Sequence, residues 1–335
     1  MRSLVLRRLA VLPLLLLGTT LLVFVLGRMA PGDPAELFAG GHQADPEVIE
    51  RVREEWGLDD PLVVQYAHYL GRLARGDLGR STTQQAEVTD VLRRRLPASL
   101  ELTVGALLFG VPAGVGLGVA AARRRGSAVD DATRLVAMGG ASVPIFWVAL
   151  MLGYLFSVRL GWLPLSGRLP AFTSVDEVTG FYTVDALLQG DLGLFGSVLR
   201  HLALPVITLA IVPAAVMARF ARASFLEVLG ENYIRTAHAY GIPPRTVVWR
   251  LASKNAILPL ITLLSLLLPA LIVGAVLIET VFSWPGVGTF LLEALQARDY
   301  AVVQSVSLLV AAIYALTGLV ADVSYAALDP RTRRP

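Results

Sequence analysis

The chain has no cysteine among its 335 residues, and lysine occurs once, at Lys254. The first absence excludes disulfides, thiolate metal sites and a cysteine nucleophile. Charge is scarce as well, with 16% of residues charged against 55% hydrophobic. A soluble domain is nearer a quarter charged, so this balance is that of a polytopic membrane protein. Chemical signatures are missing too. There is no GxxxxGK[ST] loop to cradle a nucleotide phosphate, no HExxH, no GxSxG, and no Ser–Lys pair inside an apolar run. His42, His68, His201 and His238 are scattered without ligand spacing. The expectation is no metal, no cofactor held by this chain and no catalysis. Nor does any basic run resemble a nucleic-acid-binding tail.

Long charge-free runs are what the chain has instead. Six of them suit a hydrocarbon core that takes roughly 20 residues to cross. They lie at Leu9–Leu26, Leu102–Ala122, Leu135–Val158, Leu202–Ala218, Asn255–Ile278 and Tyr300–Ala321, the fourth being the shortest. The first follows Arg2, Arg7 and Arg8 as a signal peptide would. Its apolar core is too long, however, and Arg28-Met29-Ala30 lacks a cleavage pattern, so it is expected to remain as an anchor. With the N-terminus inside, the cytosolic segments hold 16 of the 29 basic residues and six of the 26 acids, leaving 13 and 20 outside. Basic residues favour the cytosolic side, which puts both termini there. Arg93, Arg94 and Arg95 oppose this, but they end a long outer loop of a kind that translocates regardless of charge.

That outer segment, Ala30 to Pro97, carries helical apolar spacing at Val48, Val52, Trp56 and at Val63, Tyr66, Leu70, Leu73. Turn signals separate the two sets: PGDP at Pro31–Pro34, GLDDP at Gly57–Pro61 and GDLG at Gly76–Gly79. The organisation expected is a first span plus helical cap over 1–97, then a membrane domain over 98–335. In a second outer segment, Arg159 to Arg200, the aromatics Trp162, Phe181 and Tyr182 fit either interfacial anchors or ordinary loop residues.

Inside the second span, Gly110, Gly114 and Gly118 share one helical face, which favours close packing on another helix over a pore lining. Pro112, Pro144, Pro205, Pro213 and Pro269 lie inside spans, where each removes a backbone hydrogen bond. Glu101, Glu279 and Asp322 fall at span ends, within reach of water. Spans so bare of ionisable groups argue against an ion-coupled carrier. Glu279 is the candidate outer gate residue, set against the plainer reading of a solvated helix end.

The stretch from Arg219 to Pro259 is basic, punctuated by Gly and Pro, and longer than a turn between two membrane helices needs. Facing the cytosol, it reads as a docking surface. Tyr233–Tyr240 is expected to form a short helix stopped at Gly241, and Pro243-Pro244 to turn the chain into a second helix near Arg245. The plainer alternative is a solvated basic loop held by lipid headgroups.

Several segments together resemble the permease subunit of ATP-binding-cassette importers for dipeptides, oligopeptides or nickel, over nearly the whole chain. They are Pro31-Gly32-Asp33-Pro34, GLDDPLVVQYAHYLGRLARGDLGRS from Gly57, RLPASLEL from Arg95 and YIRTAHAYGIPPRTVVWRLASKNAILPLIT from Tyr233. ETVFSWPGVG from Glu279, ARDYAVVQ from Ala297 and LDPR at Leu328–Arg331 complete the set. The resemblance implies an all-α fold of six transmembrane helices, the type I ABC importer permease fold, with an extracytoplasmic helical cap between helices 1 and 2. It implies a second, similar permease, two cytosolic ATPases that use ATP and Mg, and an extracytoplasmic solute-binding protein, assembled in a prokaryotic inner membrane. It also implies that the 233–259 loop is the coupling loop, docking on an ATPase through Arg235, Ala237, His238, Ala239, Tyr240, Gly241 and Arg245. Leu251 stands after Arg250 where many relatives place His, which removes any polar contact from that position. The rival classes are an ion-coupled secondary carrier and a non-transporting scaffold.

Overall fold

The computed structural model describes residues 2–29, 33, 35, 36 and 45–328. The PGDP turn, apart from Asp33, and the closing Asp329-Pro330-Arg331 lie outside these residues, as does the Asp322 side chain. Helix α1 is Arg2–Met29, followed in the outer segment by α2 (Pro46–Glu55), α3 (Leu62–Ala74) and a hairpin of β1 (Arg80–Ser81) and β2 (Ala86–Glu87). Then come α4 (Val88–Arg123), α5 (Ala128–Ser142), α6 (Ile145–Gly153) with a π-helical extension Tyr154–Arg159, α7 (Tyr182–Leu188) and α8 (Leu192–Leu229). Beyond them are α9 (Asn232–Ala239) and α10, which opens at Pro244–Thr246, widens over Val247–Ala252 and closes at Ser253–Ala256. The chain ends with α11 (Leu258–Val281), α12 (Val287–Ala297) and α13 (Tyr300–Leu328).

Four helices, α4, α8, α11 and α13 over Tyr300–Ala321, are long and apolar enough to cross a membrane, and the bent pair α5–α6 makes a fifth. The apolar part of α1, Pro13–Met29, is shorter than these. The third expected span is broken by 100° between its helices. The cause is local. Val143 is held extended at φ −80° and ψ 130°, the conformation forced on a residue before proline, and Pro144 caps the next helix. The other four span prolines sit inside continuous helices, as does Pro97.

The fourth span, expected to be the shortest, is the longest helix at 38 residues. It runs past Arg219 to Leu229 because Met217, Ala218, Ala221 and Phe225 continue a buried stripe at helical spacing. The loop expected to open at Arg219 therefore opens at Gly230.

Helices α4 and α8 form the central contact. A Cβ on Gly110 would stand 2.6 Å from the Ala210 carbonyl, one on Gly118 2.5 Å from that of Ala218, and one on Gly114 would meet Ala214 likewise. Only glycine allows backbones this close. The contacts step in the same order along both helices, so α4 and α8 are parallel. The intervening α5–α6 must then carry the chain back once, which makes the bent pair a single crossing. Around this contact Leu102 and Ala106 of α4, Leu204 and Leu209 of α8, and Leu271, Ala275 and Ile278 of α11 form the core. A second cluster joins α4, α12 and α13 through Leu92, Phe290 and Val302.

Gly118→Leu should destabilise the purified protein by about 1–3 kcal/mol or more, since overpacking an already closed contact forces backbone shifts. Gly116, which faces open space two residues away, is the control. Thermal unfolding in detergent tests the pair, and equal unfolding temperatures for Gly118→Leu and Gly116→Leu would remove the close contact from the account.

Candidate coupling surface

Between α8 and α11 the chain forms a rigid elbow. Helix α9 ends at Ala239 with Tyr240 as its cap, and Gly241 takes φ +73°, a left-handed conformation that costs glycine little. The Gly241 and Ile242 amides then donate to the carbonyls of His238 (3.0 Å) and Ala237 (3.1 Å), satisfying the helix end. Pro243 and Pro244 turn the chain into α10, and the Asn255 side chain donates to the Tyr233 hydroxyl at 3.0 Å, tying the two limbs together.

The elbow has two faces. Ile234, Ala237, Val247, Val248, Ala252 and Ala256 are buried against Val119 and Ala122 of α4 and Phe225 of α8. Arg235, His238, Ala239, Gly241 and Arg245 point outward with Tyr240, which is 82% exposed. Of the seven expected docking residues, Ala237 faces inward and packs with this apolar cluster. Leu251 packs beside the same apolar cluster. At this end Asp130, in the first turn of α5, accepts two hydrogen bonds from Arg222 near the end of α8, one of them at 2.8 Å, and a third from the Gly126 amide at 3.1 Å.

The opposite end is held by buried polar groups. Glu279 is fully buried, which corrects its reading as a solvated terminus. Its carboxylate accepts from the Ser99 hydroxyl (2.5 Å) and the Thr289 amide (2.9 Å), and any Cβ on Gly286 or Gly288 would collide with it. The Val287 amide donates to Ser99 at 2.8 Å, and the Trp284 indole to the Ala98 carbonyl at 3.0 Å. Glu101, also read as water-accessible, is buried. It pairs with Arg168 at 2.8 Å and accepts from the Thr183 amide at 2.8 Å. Tyr182 stacks on the Arg168 guanidinium at 3.5 Å, so it is packed inside this cluster and is no bilayer anchor, whereas Trp162 is exposed.

Asp185, in α7, is buried as well. Burial acts to raise its pKa, but hydrogen bonds from the Thr179 hydroxyl and from the backbone of Thr179 and Gly180 outweigh it and leave it below the ordinary value. Ser99, Asp130, Arg168, Asp185 and Arg222 were not foreseen. Each is an ordinary polar residue whose partner lies tens of residues away or across a loop.

The sequence profile of the family described as binding-protein-dependent transport system inner membrane component matches residues 114–334, and the profile of its N-terminal component matches residues 1–103. The chain belongs to this family. Its relatives include a di/tripeptide transport system permease protein DppB of Pseudomonas aeruginosa, 45% identical over 99% of each chain. The dipeptide transport system permease protein DppB of Escherichia coli K12 is 42% identical, again over 99% of each. A solved MetNI methionine ABC transporter is 15% identical with a TM-score of 0.47, covering 72% of this chain and 94% of that one. The chain is thus a transport permease of the inner membrane, mostly helical and multi-pass, and not an enzyme.

Two measurements test the polar end. Arg168→Met strands the buried Glu101 charge and should cost about 3–5 kcal/mol, while adding Glu101→Gln to it should recover much of the loss. Thermal unfolding of the single and double variants checks this, and a double variant no better than the single one contradicts it. The Asp185 contribution is fully present above the ordinary carboxylate pKa of about 4 and is lost as pH falls through its lower folded value. The protection factors of the Thr179 and Gly180 amides, with the intrinsic pH dependence of exchange divided out, should therefore fall only in acid below that range, and a fall nearer neutrality would count against it.

Proposed function

We propose that this permease is one of two membrane subunits of an ATP-driven importer for di- or oligopeptides. In this reading the chain has six spans and cytosolic termini, and the elbow at 230–257 lies on the cytosolic side. There one of the two ATPase subunits docks on its outward face, while an extracytoplasmic binding protein delivers the peptide at the opposite end. ATP and Mg are used by those ATPases, and this chain holds neither.

The observation that carries the reading is the two-faced elbow. Its inner face is fused by apolar packing to the ends of α4 and α8, the pair whose glycine contact admits no sliding. A push on Tyr240, Arg235 or Arg245 is therefore delivered to both helices as one body, which is what alternating access needs. Glu279 is proposed as the outer gate residue, since from the end of α11 it joins Ser99 of α4 to Thr289 of α12. The peptide assignment follows the relatives named for di- and tripeptides.

Gly241→Asp, which strains a left-handed position, and Arg245→Glu, which reverses a docking charge, should each cut dipeptide uptake roughly tenfold or more, because loss of one desolvated interface charge typically costs 2 kcal/mol or more. Both should leave the permease in the membrane at normal amount while weakening ATPase co-purification. Wild-type uptake in both variants would overturn the coupling role.

A further inference from the structure

Strand β2 runs directly into α4 at the end away from the elbow, and there a cleft of about 560 Å³ opens between α2 and the β1–β2 hairpin. One wall is apolar. Val48 and Val52 of α2, with Trp56 at its end, recur at helical spacing and line it. Arg72 of α3 lies over the Trp56 ring at 3.6 Å and pairs with Asp77 at 3.1 Å. The hairpin wall is fixed to the bundle. Ser81 donates to the buried Asp299 at 2.7 Å, and the Thr83 amide donates to it at 3.1 Å.

Three charges lining the cleft have no oppositely charged partner among the described residues: Arg51 on α2, Arg80 on β1 and Glu87 on β2. All three are exposed. Arg80 and Glu87 are directly opposed on the ladder, which puts them on one face with Cβ atoms about 5 Å apart. They form no ion pair, because Arg80 turns its guanidinium to the Gln85 carbonyl at 3.1 Å.

Size and charge narrow the occupant. Sites for small molecules run to roughly 300–1,000 Å³, so this space takes a molecule and not merely an ion. An anion alone leaves Glu87 unmatched, and a cation alone leaves both arginines. A ligand with one charge of each sign at the ends of a short chain answers all three. At about 3.5 Å per extended residue, the termini of a di- or tripeptide lie roughly 7–10 Å apart, within the span of such a cleft.

We propose that this cleft is a peptide-binding site of the permease itself, taking a di- or tripeptide as its zwitterion. The carboxylate accepts from Arg51 and Arg80, the ammonium donates to Glu87, and a side chain lies on Val48, Val52 and Trp56. Contacts to exposed charges are individually weak, so the peptide is held loosely and released readily. Through β2 the site is the outer extension of α4, the helix whose other end packs on the elbow. The proposal rests on the reading of this chain as a peptide permease.

The test titrates dialanine onto the full chain, purified in mild detergent with no binding protein present, and reads saturation-transfer NMR. Arg51→Gln and Arg80→Gln should each weaken dialanine binding roughly fivefold, the size of one exposed charged contact, without weakening dialanine amide, which lacks the carboxylate. Glu87→Gln should weaken dialanine by a similar factor without weakening N-acetyl-dialanine. Glu87 makes no side-chain cap on α4, so this variant keeps the helix. No transfer to dialanine in wild type overturns the site, as does equal loss of dialanine and its amide in the arginine variants. N-acetyl-dialanine binding wild type as tightly as dialanine overturns the zwitterion. If the arginine variants lose capture by the system's binding protein while dialanine binding is untouched, the cleft is a protein-docking surface and the proposal falls. A complete transporter that takes up dialanine although this chain alone does not bind it sinks the site and spares the importer reading. Gly241→Asp should bind dialanine as wild type does, so failure at the elbow is told apart as well.

Discussion

The contact between α4 and α8, made through Gly110, Gly114 and Gly118, is the constraint on which the other contacts depend. In lipid no hydrophobic force drives helices together, so association rests on close van der Waals packing. Glycine at every fourth position supplies it by letting the carbonyls of Ala210, Ala214 and Ala218 face a backbone with no side chain between. The parallel pairing then dictates topology. A chain that enters α4 and α8 in the same direction must return once in between, and it does so through a span that Pro144 breaks.

From that contact the two ends of the bundle diverge in chemistry. At the elbow end the attachments are mainly apolar, with Ile234, Val247 and Phe225 packed together and the Asp130–Arg222 pair at one side. At the other end they are polar and directional, with Ser99, Glu101, Arg168 and Glu279 joined by short hydrogen bonds. Close apolar packing transmits a displacement, whereas a buried carboxylate that loses a donor pays heavily. The elbow end is therefore bound to α4 and α8 as one unit, while the other end is held by bonds that are costly to break.

Four of the helical spans, the short helix stopped at Gly241, the corner at Pro243 and the small-residue face were legible in the sequence, because each depends on residues within one or two helical turns. What escaped depends on distance. Whether Glu279 is solvated is decided by Ser99, which lies 180 residues away. The inward turn of Ala237 was hidden because an alanine on a short helix fits either face. The continuation of α8 beyond Arg219 was missed because arginines at a helix end look like the start of a loop, when their stems can lie along the apolar surface with the charge in water.

The buried carboxylates reopen one question about mechanism. Ionisable groups inside a membrane protein usually mark function, and bare spans were the ground for setting aside an ion-coupled carrier. Glu101 and Glu279 do not restore it. Glu101 is neutralised by Arg168, and both oxygens of Glu279 are engaged by Ser99 and Thr289. A coupling carboxylate must exchange its ion with both sides of the membrane, and these two sit together at one end, each already engaged by donors of this chain. They hold helices in register. In the proposed reading the energy for movement enters from outside the chain through the elbow, whose inner face packs on the ends of α4 and α8.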